Sequence, residues 1–142
     1  MYLTRIIYTS TATKAFKPKD IEEILSKASL HNAKYDLTGM LCFSRNHFLQ
    51  CLEGSRASVN KIYHKILNDN RHDEIVMLDY KEISEREFSE WSMAYVPESS
   101  LTNPINLKFS GSRQFCPYNM SADSAHRMML EFREKLGCAT QS

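Results

Sequence analysis

Two spacings of apolar residues alternate along the chain. Tyr2 to Ser10 is rich in β-branched and aromatic residues, with Ile6 and Tyr8 on one face and Leu3 and Ile7 on the other, which predicts a buried first strand. From Pro18 onward Ile21, Ile24, Leu25 and Ala28 recur at three and four, the stripe of an amphipathic helix that runs to Asn32, a natural stop. Asp36 to Gly54 reads as two strands joined by a polar turn at Ser44 to His47, where Arg45-Asn46 lacks the favoured Asn-Gly and leaves the turn type open. Ser55 can cap a second helix carrying Val59, Ile62, Tyr63, Ile66 and Leu67, which ends near Asn68 to Asn70. Ile75 to Ile83 predicts a fourth strand. Trp91 to Val96 predicts a fifth, with Trp91, Met93 and Tyr95 on one face.

The order strand, helix, strand, strand, helix, strand is the split pattern of an α+β, ferredoxin-like fold, here extended to βαββαββ with two helices on one face. The other face needs a cover. Residues 97–119 read as a long ordered loop with a short structured piece at Ile105 to Phe109. Ser121 then caps a last helix with the stripe Ala125, Met128, Met129, Phe132 and Leu136 before Gly137, a plausible end. This C-terminal helix can cover the open face or present a partner surface.

The polar residues inside these apolar patterns carry the candidate chemistry. Gln50 shares a face with Phe48 and Leu52, so a primary amide is buried, and leaving any of its hydrogen-bonding groups unpaired costs about 1–3 kcal/mol. Its partner is either another group in the core or a buried polar ligand. Tyr8 poses the same question for its hydroxyl. Lys65, Arg71 and His72 form a small basic cluster at the end of the second helix, suited to that helix's negative end or to a phosphate.

Composition narrows the classes. With 142 residues, 42% hydrophobic, the chain reads as a single soluble domain, and a net charge of +1 gives no electrostatic footprint for nucleic acid or an anionic membrane. No apolar run approaches the roughly 18 residues of a membrane span, and MYLTRIIYTS lacks the regions of a secretory signal, so a cytoplasmic protein is expected. Cys42, Cys51, Cys116 and Cys138 form no CxxC and read as free thiols. The histidines lack ligand spacing, and no metal is expected.

Taken together, Arg5 to Ser10, Asn32, Leu37-Thr38-Gly39, Phe48-Leu49-Gln50 with Leu52-Glu53-Gly54, Asp69 to His72, and Trp91-Ser92-Met93 resemble the BLUF domain, a flavin-binding blue-light sensor. The resemblance spans roughly the first 96 residues, and the whole chain resembles the short, PixD-like type. It implies a sensor at 1–96 and, at 97–142, a loop-plus-helix extension packed on the sensor. Leu37 stands where isoleucine is commoner, and Lys65 where some members carry arginine.

The resemblance also implies a site. The flavin, expected to be FAD, with FMN or riboflavin as the other forms, slots between the first two helices. Ile24, His31, Asn32, Gln50, Lys65, Ile66, Arg71 and His72 bind it: Ile24 and Ile66 flank the ring, Asn32 bonds its polar edge, and Lys65, Arg71 and His72 lie near the ribityl phosphate or diphosphate. Tyr8 gives an electron and a proton to the photoexcited cofactor. Their return leaves Gln50 rotated or tautomerised, and Trp91 and Met93 relay the change. The partners implied are flavin, a homo-oligomer and a separate effector protein, with no enzymatic product. Two other classes stay open on the residues alone: a flavin-dependent redox enzyme, which lacks a nicotinamide fingerprint here, and a cofactor-free interaction module of the same fold.

Overall fold

The computed structural model describes residues 2–141, with side chains described through Leu136. Its frame is a five-stranded sheet of β1 (Leu3–Ala12), β2 (Thr38–Ser44), β3 (His47–Ser55), β4 (His72–Ile83) and β5 (Ala94–Val96), in the order β4-β1-β3-β2-β5. The first four strands pair antiparallel, as a ferredoxin-like unit does, and β5 adds parallel to β2. β1 and β3 are central and buried on both faces, which explains why neither shows a simple apolar–polar alternation.

Helices α1 (Asp20–Lys34) and α2 (Arg56–Leu67) cover one face. Ile6, Tyr8 and Leu52 pack there against Val59 and Ile62 of α2, and Leu41 and Phe48 against Ile21, Ile24 and Leu25 of α1. Helices α3 (Asn103–Phe109) and α4 (Ala122–Gln141) belong to the other face. Ile7, Met40, Cys42, Leu49 and Cys51 form one core there with Ile105, Phe115, Ala125, Met128, Met129 and Phe132. The C-terminal segment therefore shares its hydrophobic core with the sheet.

Local chemistry accounts for the boundaries. Asp20 accepts a bond from the Lys17 N–H at 2.7 Å, forming a turn that delays α1 to Asp20 rather than Pro18. Asn32 is not the end of that helix, which continues to Lys34 and leaves Asn32 buried. Arg45 and Asn46 both have positive φ, 54° and 66°, so the β2–β3 hairpin uses a two-residue turn of the twist that suits paired strands, built without glycine. Gly39 is required by close approach: a Cβ there would lie 2.1 Å from the Cys51 carbonyl oxygen. The Ser58 N–H reaches the Ser55 hydroxyl at 3.2 Å, the expected cap of α2, and the Ser124 N–H likewise reaches Ser121 at the start of α4. The structured piece before α4 is a helix that starts at Asn103, and α4 itself continues through Gly137.

The fifth strand is much shorter than the sequence pattern predicts. Pairing with β2 starts only at Ala94, opposite Met40, because the chain bends at Ser92-Met93 while the Gly39 N–H bonds the Trp91 carbonyl at 3.2 Å. Trp91 and Met93 therefore do not share a strand face. Trp91 packs with the α3–α4 core, whereas Met93 packs on the helix side among the groups around Tyr8 and Phe48.

Cys42 and Cys51 are buried free thiols and Cys116 is a half-buried one, while Cys138 lies outside the residues whose side chains are described. Among the described residues no helix is long and apolar enough to cross a membrane, and no group of side chains could hold a metal ion.

Candidate functional site

Between α1 and α2, above β1 and β3, lies a cavity of about 550 Å³. Its walls are built by the two helical stripes and the sheet surface between them: Ile24 and Ala28 from α1, Ile62 and Ile66 from α2, and Leu41 and Phe48 from the sheet. An apolar slot of this size with a few placed polar groups is the usual form of a planar-cofactor site.

All eight residues expected to bind the cofactor, Ile24, His31, Asn32, Gln50, Lys65, Ile66, Arg71 and His72, line this one cavity, together with Tyr8. Tyr8 and Gln50 lie directly opposite each other in the β1–β3 ladder, with side chains on the helix face. The Tyr8 hydroxyl donates to Gln50 Oε1. Gln50 Nε2 in turn points one proton at the Met93 sulfur, 3.7 Å away, which is a weak acceptor. Asn32 Nδ2 donates to the Ser92 carbonyl at 2.9 Å. That bond uses one of the amide's two protons and leaves the other proton and the carbonyl oxygen for a ligand.

Electrostatics divides the cavity into a neutral floor and a charged rim. Burial drives the Tyr8 phenol well above its ordinary pKa, and nearby Tyr63 and Asp69 reinforce the shift, so the hydroxyl is held protonated. Burial also lowers the pKa of His72, whose Nδ1 lies 2.8 Å from the Ser10 hydroxyl and whose ring lies against Phe48. At the rim, Lys27, Lys34 and Lys65 supply positive charge. His31 is pushed toward its neutral form by burial and by Lys65, Lys61 and Lys34.

Arg71 is already engaged. Its guanidinium binds the Asp69 carboxylate through three contacts of 2.9 to 3.3 Å, and that bond raises its pKa further. Asp69 also lines the cavity and was not singled out from sequence as a binding residue. An Asp two residues before an Arg in a loop is too common to mark a wall. Lys65, with Nζ 3.4 Å from His31 Nε2, is the freer cation for an anionic group.

The residues present fit a flavin: an apolar slot for a flat ring, two primary amides with unused donor and acceptor capacity, and cations where a phosphorylated tail would leave. Residues 3–94 match the family model described as BLUF, sensors of blue-light using FAD. The chain belongs to the BLUF family of flavin-binding blue-light sensors. It is 43% identical over 76 residues to the blue light- and temperature-regulated antirepressor BluF of Escherichia coli, an alignment covering 54% of this chain and 19% of that protein. It is 33% identical over 100 residues to the photoactivated adenylate cyclase subunit beta of Euglena longa, covering 70% of this chain and 12% of that subunit. The chain thus spans only a small part of either relative. The structure of BlsA in its photo-activated state superposes with a TM-score of 0.83 at 29% identity, covering 91% of this chain and 93% of that one.

Proposed function

We propose that this protein is a photoswitch in which Tyr8 and Gln50 form the moving hydrogen-bond pair, Asn32 fixes the ring edge, and residues 97–142 transmit the change from a sensor at 1–96. The observation that carries this reading is the Tyr8 hydroxyl donating to Gln50 Oε1 on the wall of a cavity otherwise suited to a planar ring. When bound, the flavin supplies absorption of blue light and a transient acceptor for one electron. FAD is the form proposed, because Lys34 and Lys65 at the rim can face the charge of a diphosphate.

The chain's own groups suit a switch that leaves no chemical product. A phenol held neutral by burial keeps its proton in the dark, yet an oxidised phenol is a strong acid, and Gln50 Oε1 is the acceptor already in place. Once the electron and proton have returned to Tyr8, the composition of the site is unchanged and only the amide's arrangement differs. A rotated amide presents Nε2 where Oε1 had been; the imidic tautomer instead presents an O–H. Rotation removes the donor that faces the Met93 sulfur, and tautomerisation leaves the nitrogen one proton in place of two. Met93, followed by Trp91 on the opposite side of the sheet, is then the first group to respond.

The signal leaves through the shared core under α4 and is read by a separate effector protein, with a homo-oligomer as the working assembly. The free thiols at Cys42, Cys51 and Cys116 fit the reducing cytoplasm. The test is to purify the protein, record its colour and flavin content, and follow absorbance during and after blue light. A reversible red shift supports the photoswitch. A protein colourless even after flavin addition points to a cofactor-free module, and colour with steady substrate turnover points to a redox enzyme.

A further inference from the structure

Glu53 is a fully buried carboxylate that the Tyr8–Gln50 pair does not touch. It lies on β3 three residues beyond Gln50, and strand alternation turns it to the opposite face of the sheet. One oxygen accepts the Thr38 hydroxyl at 2.9 Å and the Phe88 N–H at 3.0 Å; the other accepts the Glu87 N–H at 2.6 Å. A charge withdrawn from water persists only where such donors are fixed around it. Two of these donors belong to the backbone of the 84–93 connection, so Glu53 ties that connection to the sheet.

The connection continues to the switch. Arg86 straps it down, donating to the Thr38 hydroxyl, the Glu53 carbonyl and the Asp36 carbonyl at 2.9, 3.2 and 2.6 Å. The Trp91 N–H bonds the Phe88 carbonyl at 3.1 Å. Ser92 and Met93 come next, the residues that meet Asn32 and Gln50 at the cavity. In the other direction, the Glu87 side chain pairs with Arg133 of α4 at 2.8 Å.

We propose that Glu53 is a positioning residue of the photoswitch: it holds the 84–93 connection so that Met93 stands against Gln50 while Glu87 keeps its hold on α4. The proposal rests on the Tyr8–Gln50 reading given above. In Glu53→Gln an amide N–H₂ replaces one of two oxygens that each accept a backbone N–H, so donor meets donor there and the connection loosens. With Met93 less firmly placed, the Gln50 amide turns back against less resistance.

The experiment is light-induced difference absorbance on the full chain loaded with flavin, comparing wild type, Glu53→Gln and Arg86→Ala. The second variant loosens the same connection and leaves the buried carboxylate in place. Both variants are expected to keep the flavin content and the red-shifted product of wild type and to recover in the dark about tenfold faster. A lowered melting temperature with a wild-type recovery rate in both variants makes Glu53 purely structural and overturns the proposal. If Glu53→Gln yields no folded protein, Arg86→Ala decides: fast recovery supports the proposal and a wild-type rate overturns it. Wild type without any light-induced shift overturns the photoswitch and this proposal together, whereas a normal wild-type shift with unaltered variants removes only the role of Glu53.

Discussion

Gln50 Nε2 faces the Met93 sulfur at 3.7 Å while Gln50 Oε1 accepts the Tyr8 hydroxyl. One amide thus holds a strong partner on its oxygen and a weak one on its nitrogen. Turning it over would break a good hydrogen bond on one side and give up little on the other, so a single new acceptor or donor in the cavity can decide its orientation.

Gln50→Leu keeps the approximate volume and suits its neighbours Phe48 and Leu41 on the same side of the sheet. The variant should fold and bind flavin, with stability reduced by about 1–3 kcal/mol because the buried Tyr8 hydroxyl loses its acceptor. Difference absorbance under blue light should show no red-shifted state. A full reversible shift in a flavin-loaded sample would sink the hydrogen-bond switch.

Tyr8→Phe removes one hydroxyl and keeps the ring that meets Tyr63 edge-on at 5.8 Å. Flavin binding and fold should survive while the normal photoproduct disappears, as measured on the same spectrometer with flavin content checked. Persistence of the wild-type shift would take Tyr8 out of the mechanism.

Asn32→Ala removes both the bond to the Ser92 carbonyl and the amide left for the ring edge. Weaker flavin retention is expected, by about 1–3 kcal/mol, or roughly fivefold to 150-fold in dissociation constant. Equilibrium dialysis against free flavin gives the number. Unchanged affinity would leave Asn32 with only its contact to Ser92.

Stability should fall on mild acidification. Burial holds the His72 pKa below its ordinary 6.5, so the unfolded chain takes up a proton that the fold resists. Its contribution is complete above about pH 6.5 and is lost as pH drops toward the lower folded value. His31 and His126 are shifted the same way, chiefly by burial. Melting temperatures between about pH 7.5 and 5.5 should decline, and His72→Gln should flatten the curve. An identical slope in the variant would remove His72 from the effect.

Much of this architecture can be read from apolar spacing alone. Apolar runs rich in β-branched and aromatic residues locate β1 to β4, and period-3.6 stripes locate α1, α2 and α4, because each buries apolar side chains. Gln50 and Tyr8 stand out as polar groups on such faces, and their meeting follows once β1 and β3 pair in register. Single-residue geometry is where that reading stops. The bend at Ser92-Met93 sends Trp91 and Met93 to opposite sides of the sheet, beside a backbone bond from Gly39, a residue far away in sequence. The engagement of Arg71 by Asp69 is equally invisible to periodicity, since both lie in a polar turn. So is the work of Glu53, whose donors come from a connection with no apolar pattern of its own.

The apolar core that the sheet shares with α3 and α4 bears on how this light sensor could be transplanted. A cassette cut after residue 96 would leave Ile7, Met40, Cys42, Leu49 and Cys51 facing water, an adhesive surface on the back of the photochemical module. A chimera that fuses residues 1–96 to a foreign output domain should be soluble only if the new partner lays its own greasy helix across that face. Carrying residues 97–141 along with the sensor avoids the problem, and the fusion point then belongs after α4 rather than before it.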